Sequence, residues 1–417
     1  MGPIVLFDKS FVEMLNIDEA TVFDALYSSV ICPMFYTEVL ADLSKEPPGQ
    51  RTAERIVADV ARKTPIMHAT PNLLHSTLCL GELLGHPIEM RGVPAIAGGR
   101  PVRQNGRVTV VYEQSNEAKA FDRWQHGMFY ELEREFASSW RAQLKSANHA
   151  DMAKLAKAAL KISASPSSLE DAFEIAKEVV QGKDQRFRTL KTAYSLLGLD
   201  HRQWKAVLNR WKEMGGPALR QYAPYTASCL LVDVFFHVAV DKTLISPDRP
   251  SNRTDIAYLY YLPFAMMFVS NDKLHRRTAP LFLAQKQHFI SGEELKKDLQ
   301  ALDAHYSALP EVEKAQGLFR LASTPPNDDA FLTTRIWKRF GMNVEKASKP
   351  FDHNENKEAN DRIVAEMNKI VGAAENPQGK FSAGEMADPD GVVIQRLVPL
   401  QRGKWRLMPP EVRPDAT

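Results

Sequence analysis

Two short apolar runs, each closing on an acid, restrict the fold of this 417-residue chain more than any other feature. The first is PIVLFD (3–8) and the second is AMMFVSND (265–272). Continuous apolar runs of this length read as strands covered on both faces, the habit of parallel sheets in α/β folds. An acid closing such a strand sits at its carboxyl edge, where open parallel sheets bind ligands. If the two strands share a sheet, Asp8 and Asp272 face one crevice. A buried strand should not end on an unpaired charge unless something compensates it.

The segments around these runs suggest an N-terminal βαβα unit. Asp18 is a good N-cap for a helix to about Ser29, VIC (30–32) reads as a second strand, and Pro33 suits the first turn of a helix to about Leu43. On that helix Phe35, Val39 and Leu43 share a face. Glu38 lies about 60° from Phe35, at the margin of the apolar stripe. KEPPGQR (45–51) breaks the pattern, and helices are expected over 52–62 and 71–84. Asn105-Gly106 before the alternating VTVVY marks a hairpin. A helical block follows at 116–146, 149–163, 167–181, 186–197 and 200–214, closed by Gly215-Gly216.

Residues 217–240 read as a buried helix. Asn252 or Thr254 can cap a helix through about Tyr261, and LHRRTAPLFLAQ continues as helix after Asp272. Ser291 with Glu294 forms a capping-box pattern for 292–307, and helices are expected at 328–340 and 355–374. The tail from 375 reads as extended, either partly disordered or strapped across another surface. The expected organisation is a core in two parts, 1–45 and 216–308. A mostly helical insertion with a β-hairpin (46–215) separates them, and a helical and extended tail (309–417) follows.

Composition narrows the function classes. The formal charge is +2, so nucleic-acid binding would need a local patch rather than a global field. Cys32, Cys79 and Cys229 are too few and too scattered for a disulfide framework or zinc knuckle, and read as buried thiols in a reducing cytoplasm. MGPIVLFDKS lacks a signal-peptide pattern, and Leu6 breaks the myristoylation pattern. YTASCLLVDVFFHVAV (225–240) is too short for a bilayer span and carries Asp233 and His237. The expectation is a cytoplasmic chain without a membrane partner. The sequence contains no P-loop, GxSxG or HExxH motif.

If the sheet forms, Asp8, Glu38, Asp255 and Asp272 converge on one cleft. Four carboxylates there would repel and raise one another's pKa values, and a divalent cation would remove the penalty. An oxygen-only set suits Mg²⁺ or Mn²⁺ rather than zinc. The order of segments IVLFDKS (4–10), PMFYTEVLADL (33–43) and TDIAYLYYLPFAMMFVSNDKLH (254–275) resembles the PIN-domain family of nucleases. The last is the most specific: Asp255 and Asp272 stand 17 residues apart, with Ser270 two before the second acid. The three segments cover about a tenth of the chain.

The resemblance implies a doubly wound α/β/α parallel sheet, here with a large mostly α-helical insertion and a C-terminal extension. It also implies metal-dependent endonucleolytic hydrolysis of phosphodiesters, RNA before DNA. Carried over, Asp8, Glu38, Asp255 and Asp272 are catalytic metal ligands for Mg²⁺ or Mn²⁺. Ser10 and Ser270 orient a carboxylate or a metal-bound water. This chain departs from the family in placing more than 200 residues between Glu38 and Asp255. Asp18, Asp24, Asp42 and Asp248 are therefore competing acids.

Lys273, His275, Arg276 and Arg277 follow the last acid and could hold phosphates. Trp204 and Trp211, interleaved with basic residues, fit base stacking or, more simply, a packed helix face. His237 and His275 could serve as general bases, although His237 on an apolar helix fits a core residue better. RNA turnover, a toxin-like effector and antiphage defence all suit such an enzyme. The alternatives are a nucleic-acid-binding or scaffold protein on the same fold with little catalysis, a DNA-directed nuclease, or another acid-metal enzyme. The sequence leaves open a homo-oligomer or a partner protein.

Overall fold

The computed structural model describes residues 2–45, 51–104, 106–182, 185–345, 362, 365–370, 372–374, 381 and 390–409. The strands run β1 (Ile4–Phe7), β2 (Ser28–Ile31), β3 (Ala69–Pro71), β4 (Arg100–Gln104), β5 (Arg107–Tyr112), β6 (Met267–Ser270), β7 (His288–Ser291) and β8 (Gly391–Ile394). Five of them form one parallel sheet in the order β3-β2-β1-β6-β7. The chain is therefore α/β, and its two acid-terminated runs are neighbours. Leu6 pairs with Phe268 and Phe7 with Val269. One step further, this register sets Asp8 beside Ser270, and the Asp8 N–H donates to the Val269 carbonyl at 3.3 Å. Both strands are apolar because both lie in the middle: Val5, Leu6, Phe7, Phe268 and Val269 are fully buried.

The helices at the edge of this sheet follow from their caps. α1 (Lys9–Met14) is capped by Asp8, and α2 (Ile17–Leu26) by a full capping box between Asn16 and Glu19. The expected cap, Asp18, instead accepts the Lys404 N–H. Pro33 opens α3 (Pro33–Ala41) as its fixed φ allows. Phe7, Phe11, Phe23 and Phe35 meet edge to face between these elements, with ring centroids 5.1–6.1 Å apart. α4 (Ala53–Lys63) leads into β3, so the segment after 46 still belongs to the sheet. The expected start of the insertion was too early, because a three-residue strand ending in proline shows no apolar run.

The helical region proper lies between β3 and β6. α5 (His75–Leu83) precedes the β4–β5 hairpin, which closes with Gly106 at φ +77°; Asn105 lies outside the described residues. The expected single helix over 116–146 is two, α6 (Asn116–Gln125) and α7 (Glu131–Ser146), because Gly127 turns the chain at φ +73°. α8 (His149–Leu160), α9 (Leu169–Gln181), α10 (Arg186–Leu196) and α11 (Trp204–Glu213) follow close to expectation. The short α12 (Leu219–Tyr222) leads to α13 (Pro224–Asp241), which packs between α8 and α9. So 216–241 packs with the helical region rather than with the sheet. Trp204 and Trp211 are half-buried against Phe187 and Tyr194 of α10, a packing role. Cys32, Cys79 and Cys229 are free and buried. Among the described residues, no helix is long and apolar enough to cross a membrane.

α14 (Asn252–Ala257) continues as a 3-10 turn over Tyr258–Phe264, and its N-cap is Ser251, neither of the two residues expected. α15 (Lys273–Phe282) is capped by Asp272, and the unforeseen β7 then adds the last strand before α16 (Gly292–Ser307). A helix at Leu332–Arg339 lies within the expected 328–340. That expected at 355–374 falls largely outside the described residues. Part of the tail is a strap: β8 pairs in parallel with β5, and a hairpin of β9 (Gln401–Arg402) and β10 (Trp405–Arg406) is pinned to the core. The Arg402 guanidinium is buried. It donates to Asp24 Oδ2 at 3.1 Å and to the Arg62 and Thr64 carbonyls.

Candidate active site

In the strand order 3-2-1-4-5 the winding direction reverses between the first and fourth strands, here β1 and β6. That reversal opens a crevice at their carboxyl ends. Asp8, Ser270 and Asp272 stand at its mouth. Asp8, 3% exposed, accepts hydrogen bonds from the Ser10 hydroxyl (2.7 Å), the Ser270 hydroxyl (2.7 Å) and the Phe11 N–H (3.1 Å). Ser10 in turn accepts from the Asn271 N–H at 3.1 Å, which ties α1 to the end of β6. Both serines expected to orient a carboxylate thus lie on Asp8.

His275 completes this hub, and its protonation follows from counting donors. The Ser270 hydroxyl has one proton, and it faces Asp8. His275 Nδ1, 2.8 Å from Ser270 Oγ and 3.3 Å from Asp8 Oδ2, must therefore carry a hydrogen. Nε2 lies 2.7 Å from the Asp255 carbonyl, an acceptor only, so it carries one too. The ring is an imidazolium. Burial opposes that charge, but the hydrogen bond and charge of Asp8, together with Asp255, push the pKa up to about 9. His275 is 1% exposed. It cannot meet a phosphate, and a group protonated on both nitrogens is not a free base. The expectation of a nucleic-acid contact there is corrected: His275 locks Asp8 to α14. Lys273, Arg276 and Arg277 are exposed on α15.

Glu38 and Asp255 close the other side. Glu38 sits at the margin of α3, and Tyr258 donates its hydroxyl to Glu38 Oε2. Burial, then the charge of Asp255, push Glu38 up to about 8, against the opposing Tyr258 bond and Lys9. Asp255 is pushed up to about 6, first by burial and, among its neighbours, by Asp272 and Asp8, while His275 and Arg249 oppose. Asp255 Oδ2 is buried and has no hydrogen-bond partner. Arg249 reaches toward this gap from solvent, 3.4 Å from Asp272 Oδ2 and 3.8 Å from Asp255 Oδ2.

The four expected acids are therefore electrostatic neighbours in one crevice. They do not close on a single point. Among the described residues, no three His, Cys, Asp or Glu side chains are grouped so as to hold a metal ion. Asp8 is already saturated by protein donors, and Arg249 supplies a positive charge between the last two acids. Three of the competing acids are engaged elsewhere: Asp18 accepts from Lys404, Asp24 binds Arg402, and Asp42 binds Lys9 and Lys45 at 2.5 Å each; Asp248 is exposed on the loop before α14. His237 is buried on α13 and pushed down to about 3 by burial and then Arg253, so it is neutral there.

Sequence reasoning missed three residues. Tyr258 stands three after Asp255, one helical turn on, a spacing that signals a shared face. Arg249 lies in a loop with no periodic signal. Arg253 forms a buried ion pair with Asp233 of α13 at 2.7 Å, anchoring α14 to the helical region; two residues 20 apart on separate helices give no local pattern. A cavity of about 470 Å³ opens beside α3 at the carboxyl ends of β2 and β3, walled by Tyr36, Tyr112, Phe121 and Asn72. Comparison with protein-family models, curated proteins and solved structures finds no match to this chain.

Proposed function

We propose that the chain is a metal-dependent endonuclease of PIN-like, doubly wound architecture that cleaves phosphodiesters, RNA before DNA. The observation that carries this reading is the buried, unpartnered Asp255 Oδ2, flanked by Asp272 and a Glu38 pushed up to about 8. An acceptor buried without a donor costs about 1–3 kcal/mol, and a cation relieves that cost while letting Glu38 ionise. Oxygen donors alone suit Mg²⁺ or Mn²⁺. Asp255, Asp272 and Glu38 are not drawn together as a ready metal site; to hold the ion they would close on it, with Arg249 swung away toward solvent.

When bound, such an ion activates water and stabilises the leaving oxygen. The chain's own residues do the rest. Asp8, fixed by Ser10, Ser270 and His275, sets a rigid negative wall beside the ion. Tyr258 holds Glu38 in place. Lys273, Arg276 and Arg277 offer exposed charges to backbone phosphates, and the aromatic walls of the 470 Å³ cavity suit an unstacked base. A nucleic-acid-binding protein of the same fold without catalysis is the second reading, favoured by the saturation of Asp8.

Incubation of labelled RNA, single-stranded DNA and duplex DNA with Mg²⁺ or Mn²⁺ tests this. Asp8→Asn and Asp272→Asn are suitable controls because asparagine caps a helix as well as aspartate does. Cleavage abolished by EDTA and reduced at least about a hundredfold by either substitution, a loss of ~3 kcal/mol in transition-state stabilisation, supports the enzyme. Cleavage unchanged by both substitutions refutes this site. Binding without cleavage supports the second reading.

A further inference from the structure

At the opposite, amino-terminal end of β6 and β7 lies a cavity of about 920 Å³, within the range of small-molecule sites. Met266 and His288 bring it to the strand starts. From Met266 to Ser270 the strand carries it on the order of 13 Å from the carboxylates, at ~3.3 Å per residue. The two sites therefore do not share a wall.

Its chemistry is one-sided. Leu259, Leu262, Pro263 and Met266 form an apolar floor, with the rings of Phe282 and Phe340 beside it. Arg91, Lys286, Arg339 and His288 supply the charged and titratable groups, and no described aspartate or glutamate lines the cavity. Arg91 has Glu89 at 4.0 Å, both widely exposed, and among the described residues no acid lining the cavity faces Lys286 or Arg339. His288 lies near enough to Arg339 for that charge to add to burial in lowering its pKa. The His288 ring stands 5.8 Å from that of Phe340, leaving a flat aromatic edge. Gln287 is spent on the backbone, donating to Leu262 and Ala265 and accepting from Ala284, whereas Gln285 is exposed at the rim.

Cations with no acid among the described residues lining the cavity, set around an apolar and partly aromatic floor, match a ligand with a compact anion at one end and a flat body at the other. We propose that this cavity is a binding site for a small organic phosphate with a planar apolar body, of the mononucleotide class. Arg339, Lys286 and Arg91 meet the phosphate, the floor and the Phe340 and His288 rings take the base, and Gln285 reads its polar edge. An acyl carboxylate would use the floor but leave the ring edges and the amide without a role. The site stands independently of the nuclease reading.

Calorimetric titration of the full chain in EDTA with AMP, adenosine, inorganic phosphate and decanoate tests the assignment. AMP is expected to bind best, with adenosine and phosphate each weaker by about tenfold or more. Both charged residues chosen for reversal are exposed, so Lys286→Glu with Arg339→Glu should leave the fold intact and weaken AMP at least about tenfold. Asp272→Asn should leave AMP binding unchanged, which separates this cavity from the carboxylate crevice. The assignment is overturned if AMP fails to bind at ~5 mM, if the double reversal has no effect, if Asp272→Asn abolishes binding, or if decanoate binds in place of AMP.

Discussion

Glu38→Gln should change how stability depends on pH, and in a direction opposite to that of a surface carboxylate. The Glu38 carboxyl is pushed from 4.5 up to about 8, chiefly by burial and by Asp255. The folded chain therefore holds this proton more tightly than the unfolded chain does. Stability contributed by the neutral form is fully present below about pH 4.5 and is lost as pH rises toward 8. At about 1.36 kcal/mol per unit, the metal-free protein loses on the order of 5 kcal/mol across that window, an upper bound because part of the Glu38 residue remains exposed. Glutamine mimics the neutral acid and its oxygen still accepts the Tyr258 hydroxyl. In EDTA, wild type and Glu38→Gln should unfold alike near pH 5. By pH 8 the variant should be more stable by roughly 2–5 kcal/mol, a gain of several degrees in Tm for a chain of this size. Thermal and urea unfolding at pH 5, 6, 7 and 8 reads the difference. A gap that stays constant across that range, or a variant less stable at pH 8, refutes the placement of Glu38 beside Asp255 in a dry crevice.

Other outcomes follow from the same geometry. Tyr258→Phe removes the bond that favours ionised Glu38, so the loss of stability should begin near the same pH, about 4.5, but continue to higher pH than in wild type; an unchanged profile argues against the Tyr258–Glu38 contact. Arg249→Ala should cost less than about 1 kcal/mol in EDTA, since its side chain is 57% exposed. It should also lower the Mg²⁺ concentration needed for thermal stabilisation by a few fold, and a higher requirement would refute competition between Arg249 and a cation. Arg402→Met leaves Asp24 buried, though still held by the Ile66, Met67 and His68 N–H groups at 2.8–3.2 Å. A cost near 3 kcal/mol is expected, the low end for breaking a buried pair, together with faster proteolysis of the tail. A loss under about 1 kcal/mol would show that the strap does not depend on this residue.

The parts of this fold legible in the sequence are those whose cause is local. Asp8 and Asp272 announce themselves because a strand buried on both faces is apolar throughout and any acid must fall at its end. Glu38 is visible from helix periodicity, and Pro33 from its fixed φ. What stayed hidden depends on pairing across the chain. β3 is only Ala-Thr-Pro and β7 only His-Phe-Ile-Ser, strands by virtue of their neighbours. β8 exists through β5, nearly 300 residues earlier. The burial of His275, on a helix start that reads as basic and exposed, comes from Ser270 and Asp8 reaching it across the sheet. Arg249 shows no signal because it meets its acids from a loop, and Arg402 because its two-residue strand meets Asp24 from 378 positions away.

The strand order also has a consequence for synthesis. β1, β2 and β3 leave the ribosome early, but the central pairing of β1 with β6 waits until Met267 has been made, 196 positions after Pro71. At ~5–20 residues per second that interval is roughly 10–40 s. Through it, the Asp8 half of the crevice has no opposite wall, Glu38 has no Tyr258, and the edge of β1 stays open. The helical region, α5 to α13, is made in that interval, before the sheet can close. A product truncated or stalled before β6 therefore carries half a site, and any chemistry the crevice performs is confined to chains that extend past Asp272.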